Sequence, residues 1–258
     1  MYNTVILTHG WTGSSVFSGL LGRAGAWLGE ATVSKPDYDT YENTGLVELN
    51  NELMGRFAAG LNHEHEFSED HVRLIAERAR AADLSAPRAF VTRCNEHSPW
   101  LWKDPRLTWT IRVWADLLDL SSTRFLVLTR ETTQAWITAN LRRHVQSFAF
   151  TRAYNDGITD SNVRFLRDRG LPYLELSFED LLLRPGVSLG RLNQHLGCEL
   201  AMPDLQAVCR LPLGRRSRGI KDFAKAAAIY AKNHGERDGR GRLGGRPGAL
   251  VSSPTGHR

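Results

Sequence analysis

The sequence predicts an α/β fold: a parallel β-sheet flanked by helices on both faces, followed by a disordered basic C-terminal tail. Three observations predict it. Short apolar runs recur along the chain, amphipathic helical patterns lie between them, and the first run opens into a Gly-rich turn, "THGWTGSS" (8–15). Strands alternating with amphipathic helices build parallel sheets covered on both faces, and ligands collect at the carboxyl ends of such strands.

The elements follow in order. Thr4–Thr8 reads as a buried strand, and the helix after its turn runs through Val16–Leu21. Ala31–Val33 is a further short strand. Val72, Ile75, Ala76 and Ala79 share one helical face. Arg88–Thr92 reads as a second buried strand, because it is short, apolar and bounded by polar residues. Ile111, Trp114, Ala115 and Leu118 make another helical face. Arg124–Thr129 and Tyr173–Ser177 are the remaining strands, and Leu189, Leu192 and Leu196 repeat the helical spacing. Residues 1–212 form the α/β domain on this reading. Residues 213–258 form a basic segment, in which Ile220, Phe223, Ala227 and Tyr230 mark a short helix over about 220–232. Beyond Asn233 the chain is rich in Gly, Arg, Pro and Ser, with too few apolar residues to offset the entropy of ordering, so disorder is expected.

Composition sets the class. The chain has 258 residues, 41% hydrophobic and 24% charged, enough to bury a core without disulfides or structural metals. Cys94, Cys198 and Cys209 stand far apart and in no CxxC pair, which fits a reducing, cytoplasmic setting and argues against a zinc site. No basic region precedes a long apolar stretch at the start, so no signal peptide is expected, and no segment is long enough to span a membrane. The net charge of +5 belongs to the tail: residues 213–258 carry 11 of the 33 Lys and Arg and 3 of the 28 Asp and Glu. The rest of the chain is slightly acidic, which speaks against nucleic-acid binding by the folded domain.

The opening turn admits more than one chemistry. "HGW" is like the oxyanion turn of an α/β-hydrolase, but that enzyme needs a GxSxG elbow, and none occurs in the chain. A Walker A loop needs G-x-x-x-x-G-K-[ST]. Here Gly10 and Gly13 are too close, and Ser14 stands where the Lys belongs. A smaller anion cradle remains. The backbone amides of Gly13, Ser14 and Ser15 would open a helix, with the hydroxyls of Thr12, Ser14 and Ser15 as further donors. A turn that only caps a helix is the alternative. His63, His65 and His71 fall in the polar stretch "NHEHEFSEDH" and read as a solvated loop, not a metal cluster.

Further segments narrow the choice. "WLWKDPRLTWTIRVW" (100–114) sets Lys103, Asp104 and Arg106 around Pro105 before a helix. "RFLVLTRETTQAWIT" (124–138) is a strand ending at Arg130, with Thr138 on the helix that follows. "YLELSFEDLLLRP" (173–185) is a strand ending in an acidic turn, and "TYENTGLVELNNELM" (40–54) lies between the first helix and the "KDPR" segment. Together, in this order, these segments resemble the bacterial sulfotransferase family over roughly residues 4–200.

The resemblance implies a P-loop-like, nucleotide-binding fold and an enzyme that moves a sulfuryl group from 3′-phosphoadenosine-5′-phosphosulfate to a hydroxyl or amine of a small-molecule or glycan acceptor, without a metal. It implies that Thr12, Gly13, Ser14 and Ser15 hold the 5′-phosphate, that Arg130 and Thr138 hold the 3′-phosphate, and that Lys103 is the cation at the leaving oxygen. Many members carry a His two residues after the Lys as general base. Pro105 occupies that position here, so Glu42, matching the Glu of other branches, is the candidate base, with His9 second. The family's turn has Arg or Lys where this chain has Trp11. Either Lys103 with Arg106 or His9 makes good that charge, or the protein binds the nucleotide without efficient transfer.

Overall fold

The computed structural model describes residues 1–35, 38–234, 237–238 and 242–243. In chain order the strands are β1 (Asn3–Thr8), β2 (Thr32–Lys35), β3 (Tyr38–Asn43), β4 (Leu101–Lys103), β5 (Thr123–Thr129), β6 (Tyr173–Ser177), β7 (Arg237–Asp238) and β8 (Arg242–Leu243). The helices are α1 (Ser14–Arg23), α2 (Thr44–Phe57), α3 (Glu69–Ala79), α4 (Ser85–Asn95), α5 (Leu107–Ala115), α6 (Thr132–Leu141), α7 (Phe148–Asp168), α8 (Phe178–Leu183), α9 (Pro185–Leu196), α10 (Met202–Val208) and α11 (Ile220–Asn233). The chain divides into two compact units interleaved in sequence. One comprises Met1–Glu131 with Tyr154–Ser217, the other Thr132–Ala153 with the chain from Arg218 onward.

The first unit is built on a four-stranded sheet in the order β4-β1-β5-β6, with β1 parallel to β4 and to β5, and β5 parallel to β6. Alternation along the strands explains why both faces are covered. Val5, Leu7, Trp100, Trp102, Phe125 and Val127 enter one core with buried residues of α2, α3, α4, α5 and α7. Ile6, Leu101, Leu126 and Leu128 enter the other with α1, α8, α9 and α10. Successive side chains of a strand point to opposite faces, so a strand with every residue buried needs a layer on each side. β1 is such a strand along its whole length. The chain passes from β1 to β4 on one side and returns to β5 on the other, which makes the carboxyl end of β1 the switch point of the sheet.

Two expectations change. Arg88–Thr92 is helical, within α4, because the buried residues Pro87, Phe90, Val91 and Cys94 recur at helical spacing. Phe90 and Val91 enter the same core, which neighbours on a strand could not do. The edge strand is instead β4, three residues long and too short to show a pattern. The strand expected near Ala31–Val33 is β2, and it pairs antiparallel with β3 in a separate two-stranded ladder.

In the second unit α6 packs on α11 through Trp136, Ile137 and Ala226, with Leu141, Ala227 and Tyr230 beside them. The helix expected over about 220–232 is α11. Of the tail expected to be disordered, β7 and β8 pair antiparallel. Apart from His234, the rest of it lies outside the described residues.

Candidate active site

The turn after β1 is shaped from within. Thr8 Oγ1 lies 2.6 Å from Thr12 Oγ1, and both lie within hydrogen-bond reach of His9 O, at 3.1 and 3.3 Å. Thr12 is fully buried. Its hydroxyl serves the loop's interior. His9 is buried too, and Nδ1 donates to Gly10 O at 2.7 Å, which fixes the tautomer. Burial pulls the His9 pKa from 6.5 down to about 4; the Gly10 hydrogen bond opposes this, and the Arg130 charge adds to it. The imidazole is therefore neutral at pH 7 and brings no positive charge to the loop.

Two residues of the loop are left-handed, Trp11 at φ 67° and Gly13 at φ 80°. At Gly13 a side chain would also have no room, since an added Cβ would sit 2.7 Å from the Phe178 ring. Gly13→Ala should therefore cost about 2–5 kcal/mol of stability, the sum of backbone strain and overpacking. Chemical denaturation measures this, and a loss below about 1 kcal/mol would show that the ring yields instead.

Gly13 also leaves the start of α1 without a side-chain cap. The Val16 amide turns back to Gly13 O, but the amides of Ser14 and Ser15 have no acceptor among the described residues. Free amides at a helix N-terminus, backed by its dipole, suit an anion. The Ser14 side chain is buried beside them, and Ser15 Oγ donates to Thr40 O at 3.4 Å.

The same Thr40 carbonyl accepts Lys103 Nζ at 3.0 Å, and Glu42 Oε1 accepts it at 2.6 Å. Lys103 ends β4 beside Ile6 of β1, so the sheet register delivers it next to the loop. Tyr41, between the two acceptors, is left-handed at φ 57°, and its amide is held by Asp39 Oδ1. The Thr40 carbonyl thus joins Lys103 to Ser15, and the Lys103 ammonium in turn joins that carbonyl to Glu42. The Lys103 side chain is 4% exposed and that of Glu42 15%, so the pair is close to solvent only on the carboxylate side.

The "KDPR" turn is fixed by a buried network. Asp104 accepts the Arg106 amide and Nη1 on one oxygen, at 3.0 and 2.9 Å, and Asn50 Nδ2 on the other, at 2.8 Å. Asn50 Oδ1 in turn accepts Thr110 Oγ1 and Trp114 Nε1. Asn50 is the role of the "LN" in residues 40–54: it ties α2 to the segment that carries Lys103. Arg106 is spent on Asp104 and adds no net charge.

Arg130 follows β5 and holds the loop. Nη1 donates to Trp11 O and Nη2 to Ser217 Oγ, each at 2.5 Å, and the guanidinium lies 5.3 Å from the Phe178 ring centroid. Nε is 3.4 Å from Glu179 Oε1, an ion pair without hydrogen-bond geometry, since neither atom has a hydrogen-bond partner. Both side chains are nearly enclosed, 5% and 3% exposed. Burial pushes the Glu179 pKa up; the hydrogen bond from the Glu131 amide and the Arg130 charge oppose it.

In the second unit, Thr138 is buried on α6 and donates to Gln134 O at 2.9 Å. Arg218 Nε reaches the same hydroxyl at 3.4 Å, and the Gln134 amide brackets the Arg218 backbone. Arg218, Glu179, Phe178 and Ser217 were not singled out by the sequence reading. The signal for Glu179 and Phe178 was the acidic turn "SFED" after a strand. Arg218 and Ser217 lay in the basic run "RRSRG", read as the start of a tail. His63 departs from the solvated loop expected of it. Its ring packs edge-on against Trp109 with centroids 6.0 Å apart, and burial lowers its pKa, with Arg106 adding to the effect. Among the described residues no group of three His, Cys, Asp or Glu could hold a metal ion, and no helix is long and apolar enough to cross a membrane.

No protein-family model matches the chain, and no curated protein matches it. Solved structures do. The sulfotransferase domain from the curacin biosynthetic pathway superposes with a TM-score of 0.52 at 15% identity, over 86% of this chain and 82% of that one. The fold is that of a sulfotransferase domain. A sulfotransferase from Mycobacterium avium gives a TM-score of 0.45 at 14% identity, covering 90% of this chain and 76% of its own. Retinol dehydratase in complex with androsterone and inactive cofactor PAP gives 0.35 at 10% identity, covering 92% and 81%. Only the first of these likenesses carries the fold, and it carries no residue roles. Those rest on the geometry of the loop, Lys103 and Arg130.

Proposed function

We propose that the chain is a sulfotransferase of the bacterial family type that transfers a sulfuryl group from 3′-phosphoadenosine-5′-phosphosulfate to a hydroxyl or amine of a small-molecule or glycan acceptor in the cytoplasm. One observation carries the reading. The uncapped amides of Ser14 and Ser15 open at the switch point of the sheet, and Lys103 reaches the carbonyl that Ser15 also uses. These groups fit a phosphate-bearing donor: amides and a helix dipole for its oxygens, and a cation beside them. Thr12, Gly13, Ser14 and Ser15 would cradle the 5′-phosphate. Arg130 would meet the 3′-phosphate, for which a planar guanidinium is suited. Thr138 remains a nucleotide contact on the strength of the resemblance.

In the reaction the sulfur–oxygen bond to the phosphate breaks as the bond to the acceptor oxygen forms, and the acceptor's proton is taken up by a base. Glu42 would receive it, and Lys103 would face the growing negative charge. An ammonium has three N–H donors, and the structure commits two of them, to Thr40 O and Glu42. The third serves the leaving oxygen.

A second reading, nucleotide binding without efficient transfer, is favoured by Trp11 in the place of a cation and by the neutral His9. A thermal melt with 3′,5′-adenosine bisphosphate tests what both share. A ligand at about 100 times its Kd stabilises the folded state by about 2.7 kcal/mol, so the midpoint should rise by several degrees. An unchanged midpoint at saturating nucleotide would overturn the assignment, and a transfer assay with labelled donor separates the two readings.

A further inference from the structure

Charge is divided unevenly between the two units. The unit of α6 and α11, Thr132–Ala153 with the chain from Arg218 onward, holds 12 of the 33 Lys and Arg and 3 of the 28 Asp and Glu. The other unit is acidic on balance. Over 132–153 and 218–234 the one acid is Asp222, and its carboxylate accepts the Gly219 amide at the start of α11. We propose that the outward face of α11 docks on the surface of an anionic lipid bilayer, with Lys221, Lys225 and Lys232 among the headgroups and Ile220 in the apolar layer beneath them.

α11 packs on α6 through Ala226, with Ala227 and Tyr230 beside it. Its other side is left to solvent and is sorted into two stripes. Ile220, Ala224, Ala228 and Ala231 make an exposed apolar one, and Lys221, Lys225 and Lys232 run next to it at helical spacing. Ile220 is 85% exposed. Phe223, at 44%, widens the apolar stripe and meets Trp136, which also meets the equally exposed Phe148. The three ammonium groups have no ion pair and no hydrogen bond among the described residues. A face with three cations and no acid repels a second copy of itself and is complementary to an anionic partner. A nucleic acid would meet the lysines but not the exposed Ile220 and Phe223. A bilayer interface meets both, with anionic headgroups for the ammonium groups and acyl chains for the apolar stripe. With 14 residues α11 is too short to cross a membrane, and a helix of this make-up lies along one.

Sedimentation of the full chain with phosphatidylcholine vesicles, with and without phosphatidylserine, tests this. At low salt the protein should bind the anionic vesicles and not the neutral ones, and high salt should release it. A lysine near a charged surface is worth about fivefold in affinity, so replacing Lys221, Lys225 and Lys232 together by Gln should weaken binding about a hundredfold. Ile220→Ser should weaken it about tenfold with no change of charge. All four side chains are exposed, so the melting midpoints without vesicles should match the wild type. Lys225→Gln alone, with its fivefold loss, carries the test should the triple variant not fold. A wild type that ignores anionic vesicles overturns the proposal. So does a triple variant that binds them as the wild type does, since the face of α11 would then play no part. Full affinity in Ile220→Ser would overturn the apolar contact and with it the bilayer as partner. Labelled single-stranded RNA, bound by the wild type through the same lysines while vesicles are not, would give the face to nucleic acid instead.

Discussion

Lys103→Met should lower sulfuryl transfer by about 10²–10³-fold, the usual cost of removing a preorganised donor from a developing oxyanion. Nucleotide affinity should stay within about threefold of the wild type, because the interaction strengthens only as the bond breaks. The geometry makes the prediction specific. In the unliganded protein Lys103 is committed to Glu42 and Thr40 O, so its charge is already neutralised and adds little to ground-state binding. On the proposed mechanism, a proton passing from the acceptor to Glu42 would neutralise the carboxylate and leave the Lys103 ammonium uncompensated as the leaving oxygen takes up charge. Glu42→Gln mimics that neutral state and should keep nucleotide binding while losing about 10²–10⁴-fold in rate, the range for general-base removal. The two losses should not add, since the residues act as one unit. Transfer by Lys103→Met within tenfold of wild type would remove Lys103 from the leaving-group position. A matching loss of nucleotide affinity would make it a ground-state ligand.

Much of the sheet was legible in the chain, and the reason is its burial. β1 and β5 are apolar runs of six and seven residues, buried or partly buried on both faces, and β6 is a five-residue run whose exposed residue is Glu175, so composition marked all three. β4 escaped because three residues cannot show a period. Arg88–Thr92 was misread for the opposite reason. Five residues of mixed apolar character fit either period, and only Pro87 and Cys94 at its flanks reveal the helix. In the site, order along the chain brought Lys103, Glu42 and the loop to attention, and the structure joins Lys103 to the loop through Thr40 O and to Glu42 directly. What the chain could not show was the pairing of charges. Whether Arg106 faces a ligand or Asp104, and whether Arg130 is backed by Glu179, depends on residues brought together by the sheet.

Arg130→Ala should cost about 3–5 kcal/mol of stability as well as nucleotide binding, because it strands Glu179 in a buried site. The dependence on pH follows from the direction of the Glu179 shift. Its folded pKa is raised above the unfolded value, so the contribution of this group is full below the unfolded pKa and is lost as pH rises through the folded pKa. Removing Arg130 takes away a charge that opposed the rise, which pushes the folded pKa further up and widens the window of loss toward neutral pH. Arg130→Ala should therefore melt close to the wild type in mild acid and fall progressively below it toward pH 8. Arg130→Ala with Glu179→Gln separates the two roles of the arginine. The amide can be buried neutral, so the double variant should recover most of the lost stability and most of the pH dependence. It should not recover nucleotide binding, since the guanidinium proposed to meet the phosphate, which holds Trp11 O in the loop, is still missing. A double variant that binds 3′,5′-adenosine bisphosphate as the wild type does would make Arg130 a purely structural ion pair, and the 3′-phosphate would have to be held by other donors.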